Sequence, residues 1–253
     1  MAPTVTSSAL DAVAEVLTSA PARAGDPGVA IMCHQRPDAD TAGSALALAR
    51  ILRARGISCT VSYPDAVELP QGIAALPGAG AFGPPGAAPV VVAVDCASAE
   101  RLGDLRPVFE AAATTVVIDH HLSNAGFGTV DFIDPEAVCT TELILRLADR
   151  LGVTPDAETA DCLYAGLMTD TGSFRWAGPR AHRTAARLLE AGADGAGLAR
   201  ALLDSHPVGW FALVSAVLGS AVEVPAAFDG RGTVYAVCTE ADLHGLPWTP
   251  RNR

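Results

Sequence analysis

The chain has 253 residues, half of them hydrophobic, 18% charged and only 5% aromatic. That composition excludes an intrinsically disordered chain, and the length allows one sizeable α/β domain with part of a second. The formal net charge of −11, with arginine as the sole basic residue type, excludes a long cationic track for a nucleic-acid polymer; small phosphorylated ligands stay open, because bound divalent cations can supply positive charge locally.

Leu10, Val13, Val16 and Leu17 recur at helical spacing and predict a first amphipathic helix, followed by a Pro- and Gly-containing break over residues 21–28. Residues 29–33 are short and apolar, as in a buried strand. Residues 41–55 read as a helix stopped by Gly56, and 57–61 as a second strand. The Gly-, Ala- and Pro-rich stretch 64–89 reads as loop with one short helix. Residues 90–94 make the clearest buried strand, ending at Asp95; 115–118 make another, followed at once by Asp119, His120 and His121. Helices are predicted at 140–151, 157–168 and 181–191.

Strands alternating with helices give an α/β fold class, a parallel β-sheet flanked by helices, expected over residues 1–205. A connector helix is expected within 206–220. Residues 221–253 then begin a second, truncated α/β domain, with strands at 221–224 and 233–238 and a helix starting at 240–243. The connector carries Trp210, Phe211, Leu213, Val214, Val217 and Leu218. Packing of these side chains against the first domain is expected, with a homodimer contact as the other use. Six cysteines at 33, 59, 96, 139, 162 and 238 form no CxxC pair and read as free thiols of a reducing compartment. No basic segment followed by an apolar one opens the chain, and the weakly polar stretch 212–222 is too short to span a bilayer, so a cytoplasmic protein away from membranes is expected.

In open parallel sheets ligands bind beyond the carboxyl ends of the strands. Three clusters fall there. The first is His34-Gln35-Arg36-Pro37-Asp38-Ala39-Asp40-Thr41. Pro37 biases Arg36 toward an extended backbone, and the even spacing of His34, Asp38 and Asp40 along an extended segment projects them to one side. An imidazole with two carboxylates suits a divalent ion such as Mn²⁺ or Mg²⁺; the same residues also serve as a turn capping the next helix, with Asp40 or Thr41 as N-cap. The second is Asp95 at the end of its strand, either a site residue or a strand-end turn former. The third is Asp119-His120-His121, two adjacent imidazoles able to meet a metal and an anion on neighbouring sides. Asp170 ends a helix in Thr169-Asp170-Thr171-Gly172-Ser173-Phe174-Arg175-Trp176, where a carboxylate opposes the macrodipole unless a cation lies nearby. Gly172 permits close approach of backbone to a ligand, and Arg175 can clamp phosphate, the alternative being a C-cap turn with an exposed arginine.

Taken in order, these segments resemble the motifs of the DHH phosphoesterases over residues 28–220: HQRPDADTAGS the first, Asp95 the second, Asp119-His120-His121 the signature, and Asp170 with TGSFRW the fourth. The likeness is to the bacterial oligoribonuclease and pAp-phosphatase branch, some of whose members also cleave cyclic dinucleotides such as c-di-AMP or their linear products. The resemblance implies two divalent ions, manganese first and magnesium second. His34, Asp38 and Asp95 hold one, and Asp40, Asp95, His120 and Asp170 the other, with Asp95 shared. It further implies His121 at the scissile phosphate and Asp119 orienting it, with Ser123, Asn124 and Arg175 as further substrate contacts. The implied substrates are short oligoribonucleotides, dinucleotides such as pApA, or pAp; a family II pyrophosphatase or exopolyphosphatase, or a nucleotide-binding module without turnover, are the alternatives. Family members continue into a DHHA1 domain with a Gly-Gly-Gly-His loop. Residues 239–243 resemble its early part, and that loop is not in this sequence.

Overall fold

The computed structural model describes residues 4–20, 27–66 and 68–245. The predicted break at 21–28 lies outside the described residues up to position 26, as does the part of the expected second domain over residues 246–253. By internal contacts the chain divides after Leu202 into two units.

The first unit begins with α1 (Thr4–Thr18), then β1 (Val29–Met32), α2 (Ala39–Ala54), β2 (Cys59–Ser62), a short α3 (Gln71–Ala74) and β3 (Val90–Val94). A 3-10 stretch (Ala99–Leu105) leads into α4 (Arg106–Glu110), followed by β4 (Thr114–Asp119) and β5 (Val130–Ile133). It closes with α5 (Thr140–Arg150), α6 (Ala157–Asp170), α7 (Pro179–Glu190) and α8 (Gly195–Ala199). The strands form one parallel sheet in the order β2-β1-β3-β4-β5, which is the α/β architecture expected. From β1 the chain first adds β2 on one side, then crosses to add β3 on the other. The topological switch point, where the two crossovers diverge and leave a crevice, therefore lies between β1 and β3. Met32 and Ala93 are level in the register, so His34 and Asp95, each two residues on, leave the sheet side by side at that crevice.

β1 and β3 are buried throughout and β4 nearly so, which is why they read as apolar runs. On one face Ala30, Met32, Val91, Ala93 and Val117 pack with Leu102, Leu105 and Phe109. By the two-residue period Ile31, Val92 and Val116 point the other way, and they too are inaccessible. α2 and α6 lie against each other with unusually close backbones: a Cβ on Gly43 of α2 would fall 2.3 Å from the carbonyl oxygen of Cys162 in α6. No larger residue fits there.

Several boundaries differ from expectation. α2 starts two residues early, because Asp38, not Asp40 or Thr41, is the N-cap. Arg36 is not extended but has φ 54°, left-handed; the chain must reverse between the end of β1 and the start of α2, and Pro37 bars only the right-handed region that would prolong a helix. Asp40 consequently lies in the first helical turn, not on an extended segment. β2 is displaced to Cys59–Ser62. The loop at 64–89 holds two 3-10 turns besides α3. α4, β5 and α8 had no sequence counterpart: each is four or five residues long, too short for a helical or alternating pattern to register.

The second unit contains α9 (Val208–Gly219), a two-stranded antiparallel ribbon of β6 (Val222–Val224) and β7 (Thr233–Tyr235) joined through the single turn α10 (Ala227–Gly230), and α11 (Glu240–Gly245). No residue of α9 is buried, and Val208, Phe211 and Leu218 are largely exposed. The apolar residues of the helix run all round its axis, so no one face is marked by its sequence as the buried one. Among the described residues no single helix is long and apolar enough to cross a membrane. Cys33, Cys59, Cys96, Cys139 and Cys162 are buried free thiols, and Cys238 is an exposed one.

Candidate metal centre

The acidic and imidazole groups at the crevice come from the ends of β1, β3 and β4, the start of α2 and the end of α6. His34 follows β1. Its Nδ1 stands 2.7 Å from the backbone oxygen of Gln35; a carbonyl can only accept, so Nδ1 carries the proton and Nε2 is the atom presented to the crevice. The Arg101 guanidinium lies 3.2 Å from the same Nδ1, the longer and weaker approach. Asp38 does two things at once. Its Oδ1 accepts from the backbone N–H groups of Asp40 and Thr41, capping α2, while its Oδ2 lies 3.6 Å from His34 Nε2. One carboxylate oxygen of Asp38 thus caps α2, and the other is turned toward His34.

Asp40 is inaccessible to solvent. Its Oδ2 accepts from Thr140 N–H at 2.7 Å and its Oδ1 from Thr141 N–H at 2.9 Å, so the carboxylate sits on the positive N-terminus of α5. Asp95 has φ 59°, a left-handed turn tolerated by aspartate, that aims its side chain back across the strand ends. Its Oδ2 is 3.4 Å from His34 Nε2 and its Oδ1 is 3.6 Å from His120 Nε2. The hydroxyl of Thr140 donates to the same Oδ1 at 2.9 Å. His120 Nε2 in turn lies 3.4 Å from Asp170 Oδ2 and 4.0 Å from Asp40 Oδ2. Asp170 is the last residue of α6.

Two sets of donors result, His34-Asp38-Asp95 and Asp40-His120-Asp170, with the second oxygen of Asp95 reaching the latter. The geometry also groups Asp95 with His120 and His121. His121 differs from the others in its contact: its Nδ1 is 2.7 Å from Asp119 Oδ1, a true hydrogen bond, against 3.7 Å to Asp95. Nitrogen and oxygen donors that share one divalent ion at about 2.1 Å stand roughly 3–3.5 Å apart. The 3.4–4.0 Å spacings within the two sets lie at or just above that range and beyond the length of a good hydrogen bond.

Electrostatics point the same way. Burial, then repulsion from Asp40, holds the Asp95 carboxyl well above the usual carboxylate range. Burial, then Asp40 and Asp95, does the same to Asp170, and burial raises Asp40. Against the desolvation that burial imposes, Asp38 and Asp95 push the His34 imidazole up to about 10. Four carboxylates crowded with too little positive charge make a site that fits cations; two imidazoles among mostly oxygen donors suit a borderline divalent ion.

Beside it, Asp119 is fully buried and hydrogen-bonds His121 and, through its Oδ2, the amide of Asn124 at 2.6 Å. Despite burial these bonds keep the Asp119 carboxyl low, and the bond from Asp119 raises His121. Asn124 also donates to the Cys96 carbonyl and accepts from Gly126 N–H. Its amide is therefore engaged within the protein, not turned out to a substrate as expected. Ser123 and Arg175 are exposed. Sequence reading missed Thr140, Thr141 and Gly166. The Thr140-Thr141-Glu142 start of α5 carries a signal in hindsight, since a helix N-terminus is a ready carboxylate site; Gly166 of α6 carries none without its neighbour.

The DHH family, N-terminal domain, matches residues 28–167. The chain is 35% identical over 217 residues to the bifunctional oligoribonuclease and PAP phosphatase NrnA of Thermus thermophilus, covering 82% of this chain and 62% of that one. It is 30% identical over 152 residues to the protein of the same name from Bacillus subtilis, covering 56% of this chain and 45% of the relative. The chain thus spans less than two thirds of either. The fold is similar to that of an exopolyphosphatase-related protein from Bacteroides fragilis, with TM-score 0.77 and 24% identity over 88% of this chain and 68% of that one. With the domain matched over more than half its length and the motif residues gathered at one crevice, the chain belongs to the DHH family.

Proposed function

We propose that the chain is a divalent-metal-dependent phosphoesterase that hydrolyses short oligoribonucleotides, linear or cyclic dinucleotides, or pAp to mononucleotides. The observation that carries this reading is Asp95, whose two oxygens face two separate donor sets. In this reading His34, Asp38 and Asp95 hold one ion, and Asp40, Asp95, His120 and Asp170 the other, Mn²⁺ before Mg²⁺ because each set includes an imidazole. A pair of such ions, when bound, acidifies water and screens the charge that gathers on phosphoryl oxygens.

The chain's own groups do the rest. Asp119 fixes the His121 proton on Nδ1 and favours the imidazolium, so His121 offers an N–H at Nε2 to a phosphoryl oxygen of the substrate. Asn124 holds Asp119 from behind and acts as a positioning residue. Arg175 and Ser123 are the exposed candidates for the remaining phosphate oxygens. The names of the Thermus and Bacillus relatives support the substrate class, and the net charge of −11 favours short substrates over long ones.

The test is release of AMP from pApA in Mn²⁺, abolished by a chelator. If the chain binds Mn²⁺ by calorimetry yet releases no AMP from pApA and no phosphate from pAp, the reading fails. Saturable nucleotide binding without turnover would then mark a binding module.

A further inference from the structure

The turn that follows Asp170 is built around two aromatic rings that go opposite ways. Phe174 turns inward, its ring 5.8 Å from Tyr164 and stacked 5.5 Å from His182. Trp176 turns outward and is 70% exposed, in a chain with only three tryptophans. An exposed indole is ordinarily free to move. This one is fixed: its Nε1 donates to the backbone oxygen of Asp170 at 3.1 Å, and its six-membered ring lies against Gly172, where a Cβ would come within 2.1 Å of Cη2. Gly172, Ser173 and Phe174 all have positive φ, of 54°, 57° and 66°. Two of these are not glycine, so the turn costs backbone strain. The strain and the bare glycine together place a flat apolar ring beside Asp170, with one edge anchored and most of its surface open to water. Leu122, next to His121, is 87% exposed as well.

We propose that Trp176 is a stacking platform for a nucleobase of the substrate, seating the nucleoside whose phosphate lies at the metal centre. This rests on the nucleotide phosphoesterase reading above. The chemistry is that of sequence-tolerant single-strand recognition, in which every base offers a π-face and an anchored aromatic ring loses little entropy on meeting it. The Nε1–Asp170 bond couples the platform to the backbone of a metal-centre residue, so base and phosphate are registered to each other. Substrates are thereby distinguished from inorganic phosphates by the base they carry.

Two measurements on the full chain test it. In Mg²⁺, titration with AMP is expected to quench and shift the indole fluorescence of the parent, titration with ribose 5-phosphate is not, and Trp176→Phe is expected to lose the AMP-dependent change although Trp210 and Trp248 remain. In steady state with pApA, Trp176→Ala is expected to raise KM about ten-fold with a smaller effect on kcat, and Trp176→Phe to recover most of that loss. Equal AMP quenching in parent and Trp176→Phe, no quenching in the parent, or an unchanged KM in a folded Trp176→Ala would overturn the platform. A parent that releases no AMP from pApA overturns the phosphoesterase reading instead, and the fluorescence arm still decides Trp176.

Discussion

Asp40 of α2 fits against α6 because residue 166 is glycine: a Cβ there would stand 2.4 Å from Asp40 Oδ1 and 2.6 Å from Cγ2 of Thr141. The clash would fall on the carboxylate that accepts both N–H groups at the start of α5. Gly166→Ala is therefore expected to lower stability by about 1–3 kcal/mol, the usual cost of overpacking a tight contact, and to weaken Mn²⁺ binding by displacing Asp40. Gly80→Ala, where a Cβ meets nothing within 4 Å and φ is not left-handed, is the control and should shift the melting temperature little. Thermal unfolding and calorimetric Mn²⁺ titration of both variants check this. Equal metal affinity in parent and Gly166→Ala would show that Asp40 is not held by this contact.

Thr140 joins the two halves of the centre, giving its N–H to Asp40 and its hydroxyl to Asp95. Thr140→Val keeps shape and N–H but removes the hydroxyl, leaving a fully buried acceptor one donor short. A loss of about 1–3 kcal/mol in metal-free stability is expected, with metal affinity altered more than in Thr140→Ser, which retains the bond. The measurement is a denaturant melt of each variant with chelator and with Mn²⁺. Indistinguishable melts for the valine and serine variants would remove Thr140 from the positioning role.

The sheet was legible because buried parallel strands are apolar on both faces: residues 90–94 announced β3 without error. Asp95, Asp119 and His120 stood out because each directly ends such a run. What the sequence could not show was contact between elements far apart in the chain. Asp40 meets Thr140 across a hundred residues, and Gly166 looks like any small helical residue until Asp40 is placed beside it. Asn124 was expected as a substrate contact from the family resemblance alone. Only the bonds to Asp119 and the Cys96 carbonyl show that it points in. Trp176 likewise gave no sign of its exposure, since an aromatic near an amphipathic helix is ordinarily core.

Away from the centre, Asp156 caps α6, accepting from the N–H of Thr159 at 2.8 Å and its hydroxyl at 2.6 Å, and pairs with Arg50 at 2.9 Å. The Thr159 hydroxyl first, and with it the Thr159 N–H and Arg50, lower the carboxyl to about 2 against the desolvation that burial imposes. A depressed folded-state pKa stabilises above the unfolded value near 3.9 and loses that contribution as pH falls toward 2. Asp156→Ala should therefore melt lower than the parent at pH 7, by about 1 kcal/mol for the lost cap. The gap should close between pH 4 and about 2. Denaturant melts at pH 7, 4 and 2.5 read it; a gap that stays constant over that range would mean the stabilisation is not that of the ionised carboxylate.

Asp95 carries the two-ion proposal, and its removal should be felt in both donor sets, unlike the loss of residues confined to one. Asp38→Ala is expected to spare one Mn²⁺ site, because Asp40, Asp95, His120 and Asp170 are untouched. Asp95→Ala should reduce affinity at both sites and lower pApA turnover by at least about 100-fold, the scale of a misplaced reacting geometry. It should also be the less damaging of the two to metal-free stability: it removes a carboxylate that burial and Asp40 already disfavour ionising, whereas Asp38 caps α2. The ordering thus reverses between stability and metal binding, which a general folding defect cannot produce. Calorimetric stoichiometry and chelator-treated melts of the two variants give both numbers. An Asp95→Ala protein that still binds two Mn²⁺ with parental affinity would show that the two sets do not share this carboxylate.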